Sequence, residues 1–326
     1  MTPRAQRIDV VTFGELVIDL IPAGRDGAEP LYAARPGGAP GNVAAGVSRL
    51  GLRAAMLTKV GSEAFGELAV RSLAETGVDT GSIRRAGVET TALAVVTLDD
   101  KGERDFALYR ANCADASFGP DEVDTDLVRA ARLLHVGSLS LATPVSAAAQ
   151  RLAVAIAREA GALVSADPNL RPAVWDDKAA MAAAGCEAIA GADIVKLNGE
   201  ELATLSGTSD PGEGVERLWH PRLKVMPVTH GSRGATIHTP DWAVEIGGFA
   251  VDVIDTVGCG DAFTASLLAG LLAVDLDRLD RGTARDIGAR ASAAGAVLAT
   301  RAGAMAGMPT PDEIDRLVAA HRMEET

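Results

Sequence analysis

Short apolar runs of strand length alternate with longer helical segments through most of this 326-residue sequence. The predicted strands are 8–14, 54–60, 133–136, 162–166, 193–196 and 225–229, and the predicted helices are 64–75, 144–160, 178–190, 199–206, 284–300 and 311–322. Such alternation is typical of βα units that cross over with a right hand onto a mostly parallel sheet. No linker, low-complexity tract or internal repeat interrupts the pattern. We therefore expect one α/β domain.

Two further β-rich runs, at 91–98 and 103–110, break this alternation. They flank Asp99-Asp100-Lys101-Gly102, whose residue types favour a tight hairpin turn. A hairpin does not fit within a parallel sheet, so we expect a small β flap that covers a ligand site and also offers a dimer surface. Tyr109 and Arg110, at the end of the second run, are expected within reach of that ligand.

Late in the chain, a glycine-rich turn leads directly into an apolar helix. The turn is Asp255-Thr256-Val257-Gly258-Cys259-Gly260-Asp261, and residues 262–272 follow without a proline. Unpaired amides and the helix dipole make such a helix start a site for anions. Asp261 is then an ordinary N-cap, or it is a base that deprotonates a hydroxyl while the preceding amides stabilise a transferring phosphoryl group. The local pattern leaves both interpretations open.

Polar residues mark several other turns and strand ends. In the glycine-rich loop and helix at 35–51, Asn42 can both donate and accept hydrogen bonds, and the loop is either a tight turn or a backbone surface for a polar ligand. Asp19 is either a solvated strand residue or a ligand-binding carboxylate. Two predicted strands end at 167–171 and 196–201, where α/β sheets carry ligand residues. Asn198 and Glu201 there suit a helix capping box or a hydrated metal equally.

Composition limits the class of partner. A formal charge of −13 and an aromatic content of 3% both disfavour nucleic acid. Cys113, Cys186 and Cys259 are too widely spaced for a zinc site or a disulfide framework, which suits a reducing compartment. The first residues do not resemble a signal peptide, and no apolar run reaches membrane-spanning length. We therefore expect a cytoplasmic protein without nucleic-acid or membrane partners.

Neither the P-loop nor the dinucleotide glycine fingerprint occurs in the sequence. Instead, Pro36-Gly37-Gly38-Ala39-Pro40-Gly41-Asn42 and Asp255-Thr256-Val257-Gly258-Cys259-Gly260-Asp261-Ala262-Phe263 are similar to the two signatures of the ribokinase-like (PfkB) carbohydrate kinases. Asn198 and Glu201 lie between them as the N-x-x-E element of that family. The resemblance covers essentially the whole chain. It implies one kinase domain over 1–326, with a mostly parallel central sheet flanked by helices and a small β lid formed by about 15–36 and 88–112.

The resemblance also implies roles for the matching residues. Asp261 corresponds to the catalytic base, and the anion hole corresponds to the amides of Gly258, Cys259 and Gly260. Cys259 stands where the family usually has alanine. The residues implied to hold the sugar are Asp19, Gly37, Gly38 and Asn42.

For the nucleotide and ions, the resemblance implies ATP as the phosphoryl donor and Mg²⁺ as the cofactor. The residues that would bind ATP are Asn198, Thr229, Gly231, Gly234 and Ser292. Glu201 would order water around Mg²⁺. Asp255 matches a residue linked to a monovalent cation, such as K⁺, in some members, and His230 receives no role.

Within the family, residues 14–22, 109–110 and 167–171, together with Trp175, look most like those of fructokinases. Arg110 and Arg171 are expected to contact the substrate. Ketodeoxygluconate kinases use arginines for the substrate carboxylate, so that activity and a riboside kinase are alternatives. A further hypothesis is a sugar- or nucleotide-sensing protein that has lost catalysis. The presence of Asp261, the residue that matches the catalytic base, argues against it. From the hairpin that interrupts the alternation, we expect a homodimer through the lid.

Overall fold

The computed structural model of the protein describes residues 7–98 and 104–324. The strands in these residues are β1 (Ile8–Phe13), β2 (Val17–Asp26), β3 (Glu29–Gly37), β4 (Ala54–Leu57), β5 (Lys59–Gly61), β6 (Arg84–Ala86), β7 (Ala92–Leu98), β8 (Arg104–Tyr109), β9 (Ala131–Val136), β10 (Leu163–Ala166), β11 (Ile194–Val195), β12 (Leu197–Asn198), β13 (Met226–Thr229), β14 (Ala235–His238) and β15 (Ala243–Ile246). The α-helices in the same residues are α1 (Ala39–Arg49), α2 (Ala64–Glu75), α3 (Thr125–Ala130), α4 (Pro144–Glu159), α5 (Lys178–Ala190), α6 (Gly199–Ser206), α7 (Pro211–Leu218), α8 (Cys259–Leu271), α9 (Arg281–Ala299) and α10 (Pro311–Glu324).

A parallel sheet runs through the middle of the molecule. Its strands have the order β11, β10, β9, β1, β4, and every neighbouring pair is parallel. A second sheet, in the order β12, β13, β14, β15, continues it, because Ile194 of β11 pairs with Val225 just before β13. β12 and β13 are parallel, whereas β14 and β15 add antiparallel strands at the edge. The predicted mostly parallel sheet is confirmed.

Alternate residues of β1 face opposite layers of helices, as expected of a strand that is buried on both sides. Val10 packs into the core formed with α1, α2, α8, α9 and α10. Val11 and Phe13 pack into the other core, formed with α3, α4, α5, α6 and α7. Alanine, valine, leucine and isoleucine dominate both cores. Helices therefore flank the central sheet on both faces, as predicted.

A separate small sheet has the strand order β3, β2, β7, β8. β2 pairs antiparallel with β3 and parallel with β7, and β7 pairs antiparallel with β8. The two strands of the predicted hairpin are thus confirmed, while its turn at 99–102 lies outside the described residues. The small sheet exposes Leu31, Tyr32 and Tyr109 to solvent.

Some elements differ from the sequence predictions. The prediction of one strand at 54–60 is wrong, because β4 pairs with β1 in the central sheet whereas β5 pairs with β6 outside it. The chain divides at Thr58, whose carbonyl accepts a hydrogen bond from the amide of Arg84. The sequence patterns also miss β3, β6, β14, β15, α3 and α7, which are short or partly exposed. No helix in the described part of the chain is both long and apolar enough to cross a membrane.

Gly46 provides a test of how α1 packs on α8. A Cβ atom at Gly46 would lie 2.6 Å from Cβ of Ala265 and 3.2 Å from Sδ of Met308. We expect Gly46→Ala to push the two helices apart and to lower the free energy of unfolding by about 1–3 kcal/mol, measured by urea denaturation. Gly199→Ala is the matched helical control, because a Cβ atom there meets nothing within 4 Å. Equal unfolding free energies for the two variants would contradict this packing.

Candidate active site

The late glycine-rich turn begins helix α8 with Gly258. This residue has a φ of +80°, a left-handed conformation that favours glycine. A Cβ atom at Gly258 would also lie 2.4 Å from Cβ of Ala304, so the turn has no room for a side chain. The amide of Cys259 donates a long hydrogen bond of 3.3 Å to the carbonyl of Thr256. The amides of the first turn give α8 the partial positive charge of a helix start.

Asp261 lies in the first turn of α8, and Asn42 lies in the first turn of α1. Nδ2 of Asn42 donates a hydrogen bond of 2.7 Å to Oδ2 of Asp261, and both side chains are buried. The interpretation of Asp261 as an N-cap is wrong, because Gly258 occupies that position. Oδ1 of Asn42 has no partner within the described residues. This hydrogen bond joins the two glycine-rich signatures.

The electrostatic surroundings of Asp261 suit a proton acceptor. Burial raises the pKa of its carboxyl to about 6, although the hydrogen bond from Asn42 opposes the shift. Asp167 raises this pKa further, whereas the positive charges of Lys196 and Arg171 lower it. The carboxylate is therefore ionised at neutral pH and is still more basic than an exposed aspartate.

A buried ion pair lies beside this carboxylate. Nζ of Lys196 is 3.0 Å from Oδ2 of Asp167, and Oγ1 of Thr264 in α8 donates to the same oxygen over 3.4 Å. Lys196 also lies close to the turn, since a Cβ atom at Gly260 would be 3.3 Å from Nζ. Burial lowers the pKa of Lys196, but the neighbouring carboxylates, led by Asp167, raise it above its usual value. Both residues belong to the strand ends at 167–171 and 196–201 that the sequence marked as ligand-bearing, but their pairing with each other was not predicted.

The early signature lies against two further acidic residues, through the carboxylate of one and the backbone of the other. A Cβ atom at Gly37 would be 2.5 Å from Oδ2 of Asp19, and one at Gly38 would be 2.6 Å from the carbonyl oxygen of Glu15. Burial raises the pKa of Asp19 to about 6 and that of Glu15 to about 7. Glu15 is a site residue that sequence reasoning missed. Its signal in the sequence is a single carboxylate between two apolar runs.

The two predicted substrate arginines have different surroundings. Nε of Arg110 lies 2.6 Å from Oδ2 of Asp115, and both side chains are buried. Arg171 is exposed. The positive charge of Arg171 lowers the pKa values of Asp19, Glu15 and Asp261, so it faces the three carboxylates around the signatures.

Asn198 and Glu201 form a capping box at the start of α6. Oδ1 of Asn198 accepts the amide of Glu201 at 2.9 Å, and Oε2 of Glu201 accepts the amide of Asn198 at 3.0 Å. Oε1 of Glu201 also accepts the amide of Leu170 at 2.9 Å, which ties α6 to the segment after β10. Burial and the charge of Asp167 raise the pKa of Glu201. The capping interpretation is confirmed, and the metal role stays a prediction.

The turn predicted to bind ATP follows β13, next to this capping box. Thr229 at the end of β13 is in register with Asn198 of β12. Gly231 has a φ of +62° and Gly234 a φ of +99°. A Cβ atom at Gly234 would lie only 2.1 Å from the carbonyl oxygen of Ile246, so only glycine fits this position.

Ser292 lies on α9, away from the other predicted nucleotide residues in the sequence. Its buried Oγ has no hydrogen-bond partner in the part of the chain that the structure describes. One turn further along α9, a Cβ atom at Gly295 would be 3.1 Å from the carbonyl oxygen of Cys259, so α9 passes close to the start of α8. His230, which received no role, has its Nε2 atom 2.9 Å from Oγ1 of Thr236.

Asp255 fixes the loop that precedes α8. Its Oδ1 accepts the amide of Val257 at 3.1 Å, and its Oδ2 accepts the amide of Gly303 at 3.4 Å. A monovalent cation at Asp255 stays a prediction. Among 7–98 and 104–324, no three His, Cys, Asp or Glu side chains are arranged to hold a metal ion directly. Burial, with the charges of Asp255 and Asp261, raises the pKa of the Cys259 thiol to about 11, so it is not a thiolate at neutral pH.

Residues 7–311 match the model of the pfkB family of carbohydrate kinases. The chain therefore belongs to this family. It is 37% identical over 313 residues to a probable fructokinase-4 of Arabidopsis thaliana, covering 95% of this chain and 96% of the relative. It is 39% identical over 313 residues to fructokinase-1 of Zea mays, covering 95% of this chain and 97% of that relative.

Solved structures lead to the same family. A fructokinase from Xylella fastidiosa with bound ATP superposes with a TM-score of 0.90 at 32% identity, covering 96% of this chain and 99% of that one. A fructokinase from Vibrio cholerae O395 in a fructose-, ADP- and calcium-bound form has a TM-score of 0.85 at 33% identity, covering 95% and 99%. The ribokinase-like fold predicted from the two signatures is confirmed.

The raised pKa of Asp261 has a consequence for stability. Its pKa rises on folding from 3.8 to about 6, so stability present at low pH is lost as the pH rises through about 6. We expect Asp261→Asn to raise the free energy of unfolding by up to about 3 kcal/mol near pH 8, and by much less near pH 4. Urea denaturation at both pH values measures this difference. Asp241→Asn, at an exposed position between β14 and β15, is the control, and an equal gain at both pH values would contradict the electrostatic cause.

Proposed function

We propose that the protein is a fructokinase, which transfers the γ-phosphoryl group of ATP to the primary hydroxyl of fructose. The observation that carries this proposal is the buried Asp261 carboxylate, held by Asn42 where the two glycine-rich signatures meet. Phosphoryl transfer to a hydroxyl needs a positioned proton acceptor and a stabilised phosphoryl group. Membership of the pfkB family and similarity to fructokinases along nearly the whole chain support this activity.

The sugar would lie between the early signature and the start of α8. Asp19 can accept hydrogen bonds from sugar hydroxyls, and it lies so close to Gly37 that a side chain there would displace its carboxylate. Oδ1 of Asn42, which has no partner within the described residues, can accept another. Because Nδ2 of Asn42 is bound to Asp261, the same amide orients both the sugar and the base. Asp261 takes the hydroxyl proton as the sugar oxygen attacks phosphorus.

The phosphoryl group would be stabilised from the α8 side. The partial positive charge of the helix start favours an anion there, and the amides proposed to contribute are those of Gly258, Cys259 and Gly260. Lys196 adds a buried positive charge close to the same turn. Such charges act more strongly where water is excluded. The turn from Thr229 to Gly234 would bind the rest of the nucleotide, together with the Oγ of Ser292, which has no hydrogen-bond partner among the described residues.

Mg²⁺, when bound, neutralises charge on the ATP phosphates during transfer. Glu201 fits a water-mediated role, because each of its buried oxygens already accepts one backbone amide and retains a lone pair for water. Oδ1 of the neighbouring Asp167 has no partner in the described residues and offers a further acceptor. A K⁺ ion near Asp255 is proposed from the family resemblance, and a Vibrio cholerae fructokinase double mutant has been solved in a potassium-bound form.

The choice of fructose over 2-keto-3-deoxygluconate follows from charge. Arg171 faces three carboxylates, and Arg110 is already paired with Asp115. Neutral hydroxyls can use those carboxylates as acceptors, whereas a substrate carboxylate would be repelled by them. The presence of two arginines is the observation that keeps a ketodeoxygluconate kinase as the second candidate.

The small sheet is proposed as a lid over the sugar, because β2 carries Asp19 and β3 ends at Gly37. Its closure would exclude water and favour transfer over hydrolysis of ATP. A homodimer through this sheet would cover the exposed side chains of Leu31, Tyr32 and Tyr109. A cytoplasmic location completes the proposal.

Replacement of the base tests the mechanism. Asp261→Asn keeps the size of the side chain and a bond to Asn42, but the amide does not accept the proton. We expect kcat to fall by on the order of 10²–10⁴, while the Kd for fructose measured by calorimetry changes by less than about threefold. Asp241→Asn should keep full activity. A kcat within about threefold of that of the unmodified protein would refute the general-base role.

A coupled assay of ADP release tests the choice of substrate. The protein is supplied with ATP and Mg²⁺ and is offered fructose, 2-keto-3-deoxygluconate, ribose or aminoimidazole riboside. We expect kcat/KM for fructose to exceed each of the other values by about tenfold or more. If kcat/KM is higher for another of these substrates, that substrate takes the place of fructose in the proposal. Turnover with none of the four would favour the sensing protein.

A further inference from the structure

Arg110 and Asp115 form a buried ion pair next to the early signature. Nε of Arg110 is 2.6 Å from Oδ2 of Asp115, and the two side chains are 7% and 4% exposed. The loop between them is fixed by backbone hydrogen bonds from Cys113 to the carbonyl of Arg110 and from Ala114 to the carbonyl of Thr90. The pair is thus held by the loop that leaves β8 of the small sheet.

Glu15 connects this pair to the sugar-binding turn. Its Oε1 accepts the amide of Ala39 at 3.3 Å, in the first turn of the helix that carries Asn42. Burial raises the pKa of Glu15 to about 7, Arg110 opposes this shift and Asp115 adds to it, so the three charges act on one another. Glu15, Arg110 and Asp115 carry one positive charge and two acidic groups between them. No surplus positive charge is left for a substrate.

Two atoms of the pair remain available for hydrogen bonds. Nη2 of Arg110 and Oδ1 of Asp115 are buried and have no partner among the described residues. A neutral hydroxyl can bond to either atom without a change in net charge. A carboxylate could bond only to Arg110, and it would then lie beside the Asp115 carboxylate, at a distance where like charges repel strongly in a buried site.

We infer that Asp115 is a specificity residue, which balances the charge of Arg110 and so restricts the site to neutral sugars. This inference rests on the proposed function. Arg171 does not change the outcome, because it faces Asp19, Glu15 and Asp261. Besides Asp115, the charged groups described around the early signature include the carboxyls of Asp19, Glu15 and Asp261 and the guanidinium groups of Arg110 and Arg171. An added carboxylate would therefore meet more acidic groups than arginines.

The test compares two substrates in two variants. Asp115→Asn removes the negative charge at constant size and leaves Arg110 unbalanced. We expect the ratio of kcat/KM for 2-keto-3-deoxygluconate to that for fructose to rise about tenfold or more. Asp115→Glu keeps the charge and should leave the ratio within about threefold of the unmodified value. A purely structural role for Asp115 would lower both values together and leave the ratio unchanged.

A double variant shows whether the expected rise in the kcat/KM ratio of Asp115→Asn depends on the charge of Arg110. In Arg110→Gln/Asp115→Asn both charges are absent, so the ratio should return to within about threefold of that of the unmodified enzyme. If Asp115→Asn does not fold, Asp115→Ser also removes the carboxylate and leaves Arg110 unbalanced. We expect it to shift the ratio in the same direction.

The outcomes separate the inference from the proposed function. Preference of the unmodified enzyme for the sugar acid would contradict the proposed function, and with it the inference. If the unmodified enzyme prefers fructose while the folded Asp115→Asn variant keeps the ratio of kcat/KM values within about threefold of the unmodified ratio, the inference is overturned. The proposed function is left standing by that result. If Asp115→Ser is the variant that folds, an unchanged ratio in that variant would also overturn the inference.

Discussion

The hydrogen bond from Asn42 to Asp261 joins residues 219 positions apart in the chain. It requires that α1 and α8 pack closely, which Gly46 permits, and that both helices begin at glycine-rich turns. Neither side chain has a free choice of rotamer once the bond is made, because both are buried. The distance between the early signature and the proposed base is therefore set by helix packing rather than by a mobile loop.

The surroundings of this bond are unusually rich in buried charge. Asp167, Lys196 and Glu201 form a contiguous group beside Asp261, and Glu15, Arg110 and Asp115 form another beside the early signature. Burial of so many ionisable groups costs stability, and each pairing recovers only part of that cost. Charged groups held in this way shift the pKa values of their neighbours, which is what a site for proton and phosphoryl transfer requires.

The sequence predicted the features that depend on local residue types. Glycines at Gly37, Gly38 and Gly258 and the alternation of strands and helices led to the fold and to the pair of signatures. The separation of β4 from β5 at Thr58 could not be predicted, because it depends on a hydrogen bond from a strand far along the chain.

The sequence also could not predict which charged side chains pair with one another in the site. The sequence does not distinguish the surroundings of Arg110 from those of Arg171. In the structure, the loop after β8 brings Arg110 to Asp115, whereas Arg171 is exposed. Lys196 and Asp167 stand at the ends of different strands, and their contact depends on sheet order. Such contacts between distant segments decide charge balance, and residue patterns alone do not reveal them.

The residues proposed to bind the sugar are divided between two layers, and this division would affect how long a ligand stays bound. Asp19 and Gly37 belong to the small sheet, whereas Asn42 and Asp261 belong to helices packed on the central sheet. With the small sheet as the proposed lid, a molecule that contacts both layers would leave only after the sheet opens, so its dissociation rate would follow that opening. An inhibitor that contacts only the helices would dissociate independently of the small sheet. One that contacts both layers would have a longer residence time.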